Sequence, residues 1–243
     1  MKQSYSLSMM VFYVCAVISI ATLLINGWTP WLLLSFTIHI VIINFFTVAQ
    51  HRYYSHKAFE ANEHLMFALS WCAGLFFYPS IVSYVMGHTA HHTLSDTDED
   101  THIRGWKGLF GVNHKPPPIK YLKIGMRLSQ IKKHKWMHDN IVNVQFAFAA
   151  LMFLILPLHV FLYAYIIPIF TMHLCGRLHT NISHSDEKPC NRWYLEYLLP
   201  FGGEWHHANH HDEHNNIKFG QKWYELDTGY WFSKLLIRIG NRK

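Results

Sequence analysis

Residues 31–56, WLLLSFTIHIVIINFFTVAQHRYYSH, decide the fold of this chain because they join a long apolar stretch directly to a pair of histidines. The first twenty of these residues carry no charge. As an α-helix they would extend about 30 Å, the thickness of the hydrocarbon core of a bilayer. We therefore expect a membrane-spanning helix that leads into a polar segment carrying His51 and His56.

The composition agrees with a membrane protein. Of the 243 residues, 51% are hydrophobic and 15% are charged, and the apolar residues lie in long uncharged blocks. We attribute the formal charge of +6 to Lys and Arg retained beside a membrane and expect no nucleic acid partner, since no nucleic-acid-binding module is present. The cysteines form no C-x-x-C pattern, and we interpret them as small core residues: Cys15, Cys72, Cys175 and Cys190.

Four apolar blocks are expected to cross the membrane, at about 9–25, 31–50, 138–156 and 158–177. The connection 26–30 pairs the first two as a helical hairpin, and Pro157 marks the turn of the second. A cleaved signal peptide is the weaker interpretation of the first block, because only Lys2 precedes it and no small-x-small site follows. Residues 52–135 hold eleven Lys and Arg and both turns hold none, which places the histidines and both termini in the cytosol.

Another uncharged stretch, 64–86, is long enough to be mistaken for a fifth crossing. Crossing here would place the first two histidine motifs on opposite sides of the bilayer. We therefore predict a helix that lies in the interface or dips partway, with Gly74 and Pro79-Ser80 as points where it can break. The expected fold is all-α and a single domain, with four transmembrane helices in two hairpins and a cytosolic helical cap.

Three histidine boxes, 51–56, 88–92 and 207–211, stand beside the apolar blocks. In the last two, histidines at i, i+3 and i+4 share one helix face, so each box can direct its rings to a common point. His51 and His56 are about 140° apart on a helix, which suits ligands to two different ions or a helix that ends between them. Eight imidazoles exceed the four ligands of one tetrahedral zinc and indicate two open-sited metal ions, hence an enzyme.

Other polar residues near the boxes have expected roles. His184 is a plausible ninth ligand. Carboxylates that fix the tautomer of ligating imidazoles are expected among Asp96, Asp100 and Glu204. The remaining histidines are interpreted as structural, and those in or near crossings as partners in interhelical hydrogen bonds: His39, His173 and His179.

The boxes resemble those of integral-membrane fatty acyl desaturases of the acyl-CoA or lipid Δ9 type. The segment 51–56 is similar to the family's His-Arg-x-x-x-His box, and 203–211 to its Gly-Glu-x-x-His-Asn-x-His-His box. The acidic stretch after the second box is also similar, and the likeness covers roughly 30–215. Thr89 stands where the family often has arginine, and Ala208 where it usually has asparagine.

The resemblance implies a centre of two Fe²⁺ ions held almost entirely by histidine. Its implied ligands are His51, His56, His88, His91, His92, His184, His207, His210 and His211. Asn181 is the candidate for a water-mediated contact that some members have, although it precedes His184 by three residues where the family pattern has four. The implied reaction uses O2 to introduce a cis double bond, expected at Δ9, into a saturated acyl chain.

The resemblance also implies partners and a location. The substrate would be an acyl-CoA, an acyl-ACP or a membrane lipid, in the bacterial inner membrane or the endoplasmic reticulum. Thirty-two residues follow His211, too few for a fused cytochrome b5-like domain, so a separate donor is expected: cytochrome b5, ferredoxin or rubredoxin. A basic cytosolic face would suit an acidic donor.

Three alternatives stay open. A di-iron hydroxylase or ketolase acting on a lipid or carotenoid could use the same histidines, and its product would carry a hydroxyl or ketone. A membrane metal carrier would need polar residues inside the crossings, where only scattered ones such as Asn44 and Asn143 occur. An inactive homologue is disfavoured because no implied ligand is missing.

Overall fold

The computed structural model describes residues 2–111, 114–184 and 188–240, and within these ranges the chain is built from helices. Two hairpins of long helices stand beside a cap of shorter ones. The helices of the hairpins are α1 (Lys2–Asn26), α2 (Trp31–Phe46), α7 (Lys132–Ile155), α8 (Leu158–Phe161) and α9 (Ile167–Ile182). The remaining helices are α3 (Glu63–Gly74), α4 (Ile81–Leu94), α5 (Gly105–Phe110), α6 (Leu122–Ser129), α10 (Leu195–Leu198), α11 (His207–Asp212) and α12 (Thr228–Gly240).

Among the described residues, four continuous helical stretches are long and apolar enough to cross a membrane: Leu7–Asn26, Trp31–Ser55, Lys132–Ile155 and Leu158–Ile182. The first pair is joined by a turn in which Gly27 takes a left-handed φ of 62°, a conformation that glycine adopts without steric cost. The second pair turns at Leu156 and Pro157, both in extended conformations. The expected all-helical fold with four spanning helices in two hairpins is therefore confirmed.

The segment 64–86 forms two helices rather than one, and the interruption lies between Gly74 and Ser80, the points where a break was expected. α3 ends at Gly74, Phe77 takes a left-handed φ of 65°, and α4 starts after Ser80, whose hydroxyl accepts from the Ser83 amide. Gln145 of α7 donates to the carbonyls of Gly74 and Tyr78, at 2.9 Å each. The Tyr165 hydroxyl donates to the Leu75 carbonyl. The break therefore lies against the spanning helices, which satisfy its free backbone carbonyls.

The second spanning stretch changes its winding before it ends. α2 continues into a π-helix, Thr47–Ser55, which carries the first histidine box. The His56 amide donates to the His51 carbonyl, five residues earlier, at 3.1 Å. Such π-helical turns often occur at functional sites, because they shift side chains away from the α-helical register.

The core next to this π-helix fixes the third box. Trp205 is fully buried and packs against Ile42, Phe46, Met172 and neighbouring apolar residues of α2 and α9. Its indole N–H donates to the Leu199 carbonyl, which satisfies the only polar atom of the ring. The segment leading into α11 is therefore anchored between the two hairpins.

Candidate metal centre

The nine histidines implied as ligands converge in two groups. In each group one ring nitrogen or other ligand atom per residue lies within 4.8 Å of the others. Group A consists of His51, His56, His88, His92 and His210, and group B of His91, His184, His207 and His211. The assignment of these nine as ligands remains a prediction, but their side chains are close enough together to share two ions.

The second and third boxes do not each serve one point, contrary to the expectation. In box 88–92, His88 and His92 belong to group A and His91 to group B; in box 207–211 the division is reversed. On an α-helix, residues at i and i+4 differ by about 40°, whereas i+3 and i+4 differ by about 100°. The i, i+4 pair therefore faces one group and the i+3 residue faces the other.

The first box contributes both of its histidines to group A, so of the two expectations the one that they serve two different ions is wrong, and the one that a helix ends between them is confirmed, since the π-helix ends at Ser55. Its π-helical winding brings His51 and His56 to the same side, with ring centroids 4.9 Å apart. The calculation of 140° assumed an α-helix throughout. Nothing in the spacing of the two histidines alone reveals the π-helix.

The imidazole nitrogens are arranged as expected for ligands of a shared cation. Nε2 atoms face one another at 2.7 Å between His56 and His88 and between His184 and His207. The Nε2 atoms of His91 and His211 are buried without a hydrogen-bond partner. Lone pairs that converge in this way, some with no proton donor, fit a metal ion better than they fit one another.

The histidines of the cap are held neutral, the form that binds metal. Burial lowers the pKa of His56 to about 3, and the neighbouring imidazoles and Arg52 add to the effect. Burial likewise lowers the pKa of His211 to about 4, with His184 opposing its protonation.

The three predicted carboxylates each meet a histidine on the nitrogen that faces away from the groups. Glu204 lies 2.7 Å from Nδ1 of His51, Asp100 lies 2.8 Å from Nδ1 of His91, and Asp96 lies 3.2 Å from Nδ1 of His184. A carboxylate that accepts the Nδ1–H leaves the Nε2 lone pair free and fixes the ring. Arg104 contacts both aspartates, at 2.7 and 3.4 Å, and so connects the two.

Arg52 of the first box is structural and supports Glu204. Its fully buried guanidinium donates to Asp227 at 2.8 Å and to Thr47, and lies 3.7 Å from Glu204. It also lies over the Phe219 ring at 3.8 Å. Burial raises the pKa of Glu204 to about 8 against the opposing effect of Arg52, so a cation held through His51 would favour the ionised carboxylate.

The side-chain amide nitrogen of Asn181 donates to the Arg177 carbonyl, one turn earlier, at 2.7 Å and is therefore not directed at either histidine group. Its role as a water-mediated ligand remains a prediction without support from this contact. Of the three histidines expected to form interhelical hydrogen bonds, His39 does so with Thr171 and also bonds the Pro200 carbonyl. His179 bonds the Glu204 carbonyl outside a helix, and Nε2 of His173 is buried without a hydrogen-bond partner, so the expectation fails for these two. The carbonyls that His39 and His179 contact are distant in sequence, so these partners could not be read from the sequence.

Two histidines near the centre were not identified from the sequence. His102 stacks on His91 with ring centroids 3.8 Å apart and forms a further cluster with His91 and Asp100. His214 lies 5.7 Å from His56 between ring centroids. The only available signal for His102 was its position two residues after Asp100, and His214 follows the third box by three residues.

A cavity of about 290 Å³ extends from the histidine groups between the spanning helices. Phe77 and Tyr78 line it together with Phe46 and Tyr84, whereas the fully buried Trp205 packs in the core between α2 and α9. A second cavity of about 660 Å³ lies near the first hairpin turn, away from the boxes. The first cavity is therefore the one that connects apolar space with the candidate metal centre.

Comparison with known proteins agrees with this site. The chain is 26% identical to an sn-1 stearoyl-lipid 9-desaturase of Synechocystis sp., over 81% of this chain and 65% of that protein. It is 24% identical to an sn-2 palmitoyl-lipid 9-desaturase of Nostoc sp. (79% and 73%) and 24% identical to a hex-5-enoyl-[acyl-carrier protein] acetylenase of Moorena producens (80% and 70%). No family model matches the chain. The relatives and the paired histidine groups confirm the resemblance that the boxes indicated.

Proposed function

We propose that this chain, which belongs to the fatty acyl desaturase family, introduces a cis double bond into a saturated acyl chain with two iron ions, O2 and an external electron donor. The observation that carries the proposal is the pair of histidine groups at the end of an apolar cavity. The names of the lipid 9-desaturase relatives support Δ9 as the position of the bond.

Iron fits the donor set, because imidazole nitrogens with few carboxylates among the ligands suit Fe, Zn, Cu and Ni, and the proposed chemistry requires redox activity. When bound, two iron ions would supply the redox chemistry that couples reduction of O2 to removal of two hydrogens from adjacent methylenes. The balance is one saturated chain, O2, two electrons and two protons giving one alkene and two waters. Neither the acyl chain nor O2 supplies these two electrons, so a separate donor must deliver them.

The protein's own residues position the reactants. Glu204, Asp100 and Asp96 orient the rings of His51, His91 and His184, as their contacts with the Nδ1 atoms indicate. The apolar walls of the cavity, including Phe46 and Tyr84, would hold the chain and exclude water from it.

The distribution of Lys and Arg supports two parts of the proposal, the orientation of the chain in the membrane and an acidic electron donor. Both termini and the boxes are proposed to face the cytosol, where a separate donor such as cytochrome b5, ferredoxin or rubredoxin would deliver electrons. Exposed cations near the cap, such as Lys120 and Lys123, would steer an acidic donor. Reduction kinetics that do not change with ionic strength would contradict this steering.

The proposal is tested by gas chromatography–mass spectrometry of fatty acids from host cells expressing the wild type, His207→Ala or His64→Ala. His64 is exposed on α3 and serves as the control histidine. A new cis-monounsaturated acid is expected with the wild type and His64→Ala but not with His207→Ala. A hydroxylated or ketonic product would support the hydroxylase or ketolase instead, and unchanged lipids in iron-loaded, donor-supplied membranes would refute oxidation of acyl chains.

A further inference from the structure

The candidate metal centre reaches the protein surface at two of its nine histidines. The other seven are at most 9% exposed, whereas His92 and His211 are partly exposed. His92 belongs to group A and His211 to group B, and their rings stack with centroids 4.3 Å apart. Neither of them lines the apolar cavity, which other histidines of the centre line. The stacked pair is therefore where solvent meets the centre, apart from the cavity, and each group has one histidine there.

His214 is an exposed histidine beside group A. Its ring centroid lies 5.7 Å from that of His56 and 6.0 Å from that of His92. Within the described part of the chain its ring nitrogens form no hydrogen bond. A neutral imidazole carries one nitrogen lone pair that can bind a metal ion. The lone pair of His214 is therefore open to solvent and adjacent to two of the histidines that converge in group A.

The ring separations suit imidazoles that share a cation. A metal–nitrogen bond of about 2.1 Å places the ion about 3.2 Å from the centroid of each ring. The centroids of two rings on one ion are then about 4.5 Å apart at a right angle and about 6.4 Å apart when the rings are opposite. The distances from His214 to His56 and to His92 fall within this range. An ion can therefore pass from His214 to group A without losing imidazole coordination.

The turn that carries His214 is fixed to the third histidine box. The Glu213 amide donates to the Asn209 carbonyl of α11 at 3.1 Å, and the Asn216 amide donates to the Glu213 carbonyl at 2.9 Å. The side-chain amide of Asn216 also donates to the Glu213 carboxylate at 2.8 Å. Asp212 and Glu213 are exposed and precede His214 in the chain, and their negative charge attracts a divalent cation. The turn therefore holds His214 near group A by contacts that need no metal.

We propose that His214 is a transient outer ligand that binds a divalent metal ion at the protein surface and transfers it to group A. His56 and His92 are the ligands that receive the ion, because their rings lie next to His214. Once the buried histidines hold the ion, His214 releases it and is not a ligand of the loaded centre. This inference rests on the proposed function only in taking the two histidine groups as metal sites.

A transient ligand changes rates without changing the equilibrium. Removing an intermediate on the route raises the barrier between the free and the bound ion, and the rise is the same in both directions. His214→Ala should therefore slow loading and release by the same factor and leave the affinity unchanged. A side chain that only stabilises the centre would act differently, because a loosened centre releases its ion faster.

The test measures Co²⁺ loading and release by the metal-free, full-length protein in phospholipid nanodiscs. Loading is followed by stopped-flow absorbance of the bound Co²⁺, and release by mixing loaded protein with chelator at concentrations that no longer affect the rate. His214→Ala should lower both rate constants severalfold and by the same factor, with the wild-type number of ions bound at equilibrium. His64→Ala, at an exposed position of α3, is the control and should keep both wild-type rates.

Two further variants separate loss of a ligand from a change in the turn. His214→Cys keeps a metal-binding atom at the same position, because a thiolate also binds Co²⁺, and should load faster than His214→Ala. Asn215→Ala alters the next residue of the same turn, which is exposed, and should keep the wild-type rates. Equal slowing by Asn215→Ala and His214→Ala would contradict a role of the imidazole itself.

The outcomes distinguish this inference from the proposed function. Wild-type rates in His214→Ala, or faster release, would overturn the inference and leave the proposed function intact. Loss of an ion at equilibrium would also overturn it, because His214 would then be a permanent ligand. A wild type that binds no Co²⁺ would contradict the histidine groups as metal sites, and with them both this inference and the proposed function.

Discussion

Replacing Glu204 by glutamine tests whether the carboxylates beside the histidines support metal binding. Glu204 is buried, 4% exposed, and its carboxyl lies 2.7 Å from Nδ1 of His51 in group A. Glutamine keeps the size of the side chain but removes the charge that would stabilise an imidazole bound to a cation. The change therefore acts on the metal-bound state more than on the empty one.

The expected loss follows from the position of Glu204 behind a ligand. Loss of a carboxylate that orients a metal-bound histidine typically reduces metal affinity about 10–100-fold, or about 1.4–2.7 kcal/mol. Because burial raises the pKa of Glu204 to about 8, the carboxyl is largely protonated before metal binds. Glutamine resembles that protonated form, so the stability of the metal-free protein should change little.

Glu196→Gln is the matched control. Glu196 is also fully buried and burial also raises its pKa to about 8, but its carboxylate accepts the Phe201 amide rather than a ligand histidine. Anaerobic Fe²⁺ titration against a competing chelator should show weaker binding for Glu204→Gln and wild-type binding for Glu196→Gln. Equal affinities for the wild type and Glu204→Gln would refute the role assigned to Glu204.

Two further predictions concern the carboxylate behind His91 and the buried cation Arg52. Asp100→Asn should weaken metal binding through His91 by about 10–100-fold in the same titration, whereas Asp98→Asn, at an exposed position, should not; equal effects would contradict the assignment. Arg52→Ala should lower the free energy of unfolding by about 3–5 kcal/mol, because it removes the cationic partner of buried Asp227 and leaves its carboxylate only the backbone amide donors, while exposed Arg127→Ala should change it little in denaturation assays.

The sequence was sufficient to predict the elements that hydrophobicity and chemistry specify directly. The four apolar blocks correspond to helices long and apolar enough to span a membrane, and Pro157 lies at the second hairpin turn because its ring ends the preceding helix. The repeated boxes identified eight of the nine histidines that come together, since few other roles require such boxes, and His184 was added to them as a ninth. The three carboxylates were recognised from their proximity to the boxes.

The features that the sequence did not predict depend on the local winding of a helix and on tertiary contacts. The π-helix that brings His51 and His56 together has no signal in their spacing. The split of His91 from His88 and His92 follows from the difference of about 100° between positions i+3 and i+4 of a helix, which the expectation of one common point neglected. The sequence indicated where the helix could break after Gly74 but not that it does break there. The backbone carbonyls freed by the break are satisfied by Gln145, which is distant in sequence.

The number of metal ions bound by purified protein tests the central claim most directly. Metal analysis after anaerobic iron loading should give two ions per chain for the wild type. His56→Ala/His92→Ala should lose the group A ion and retain one, and His207→Ala/His211→Ala should lose the group B ion and retain one, with folding checked by size-exclusion chromatography. A wild type that binds one ion or none, or folded variants that both keep two, would contradict a centre of two histidine-held metals.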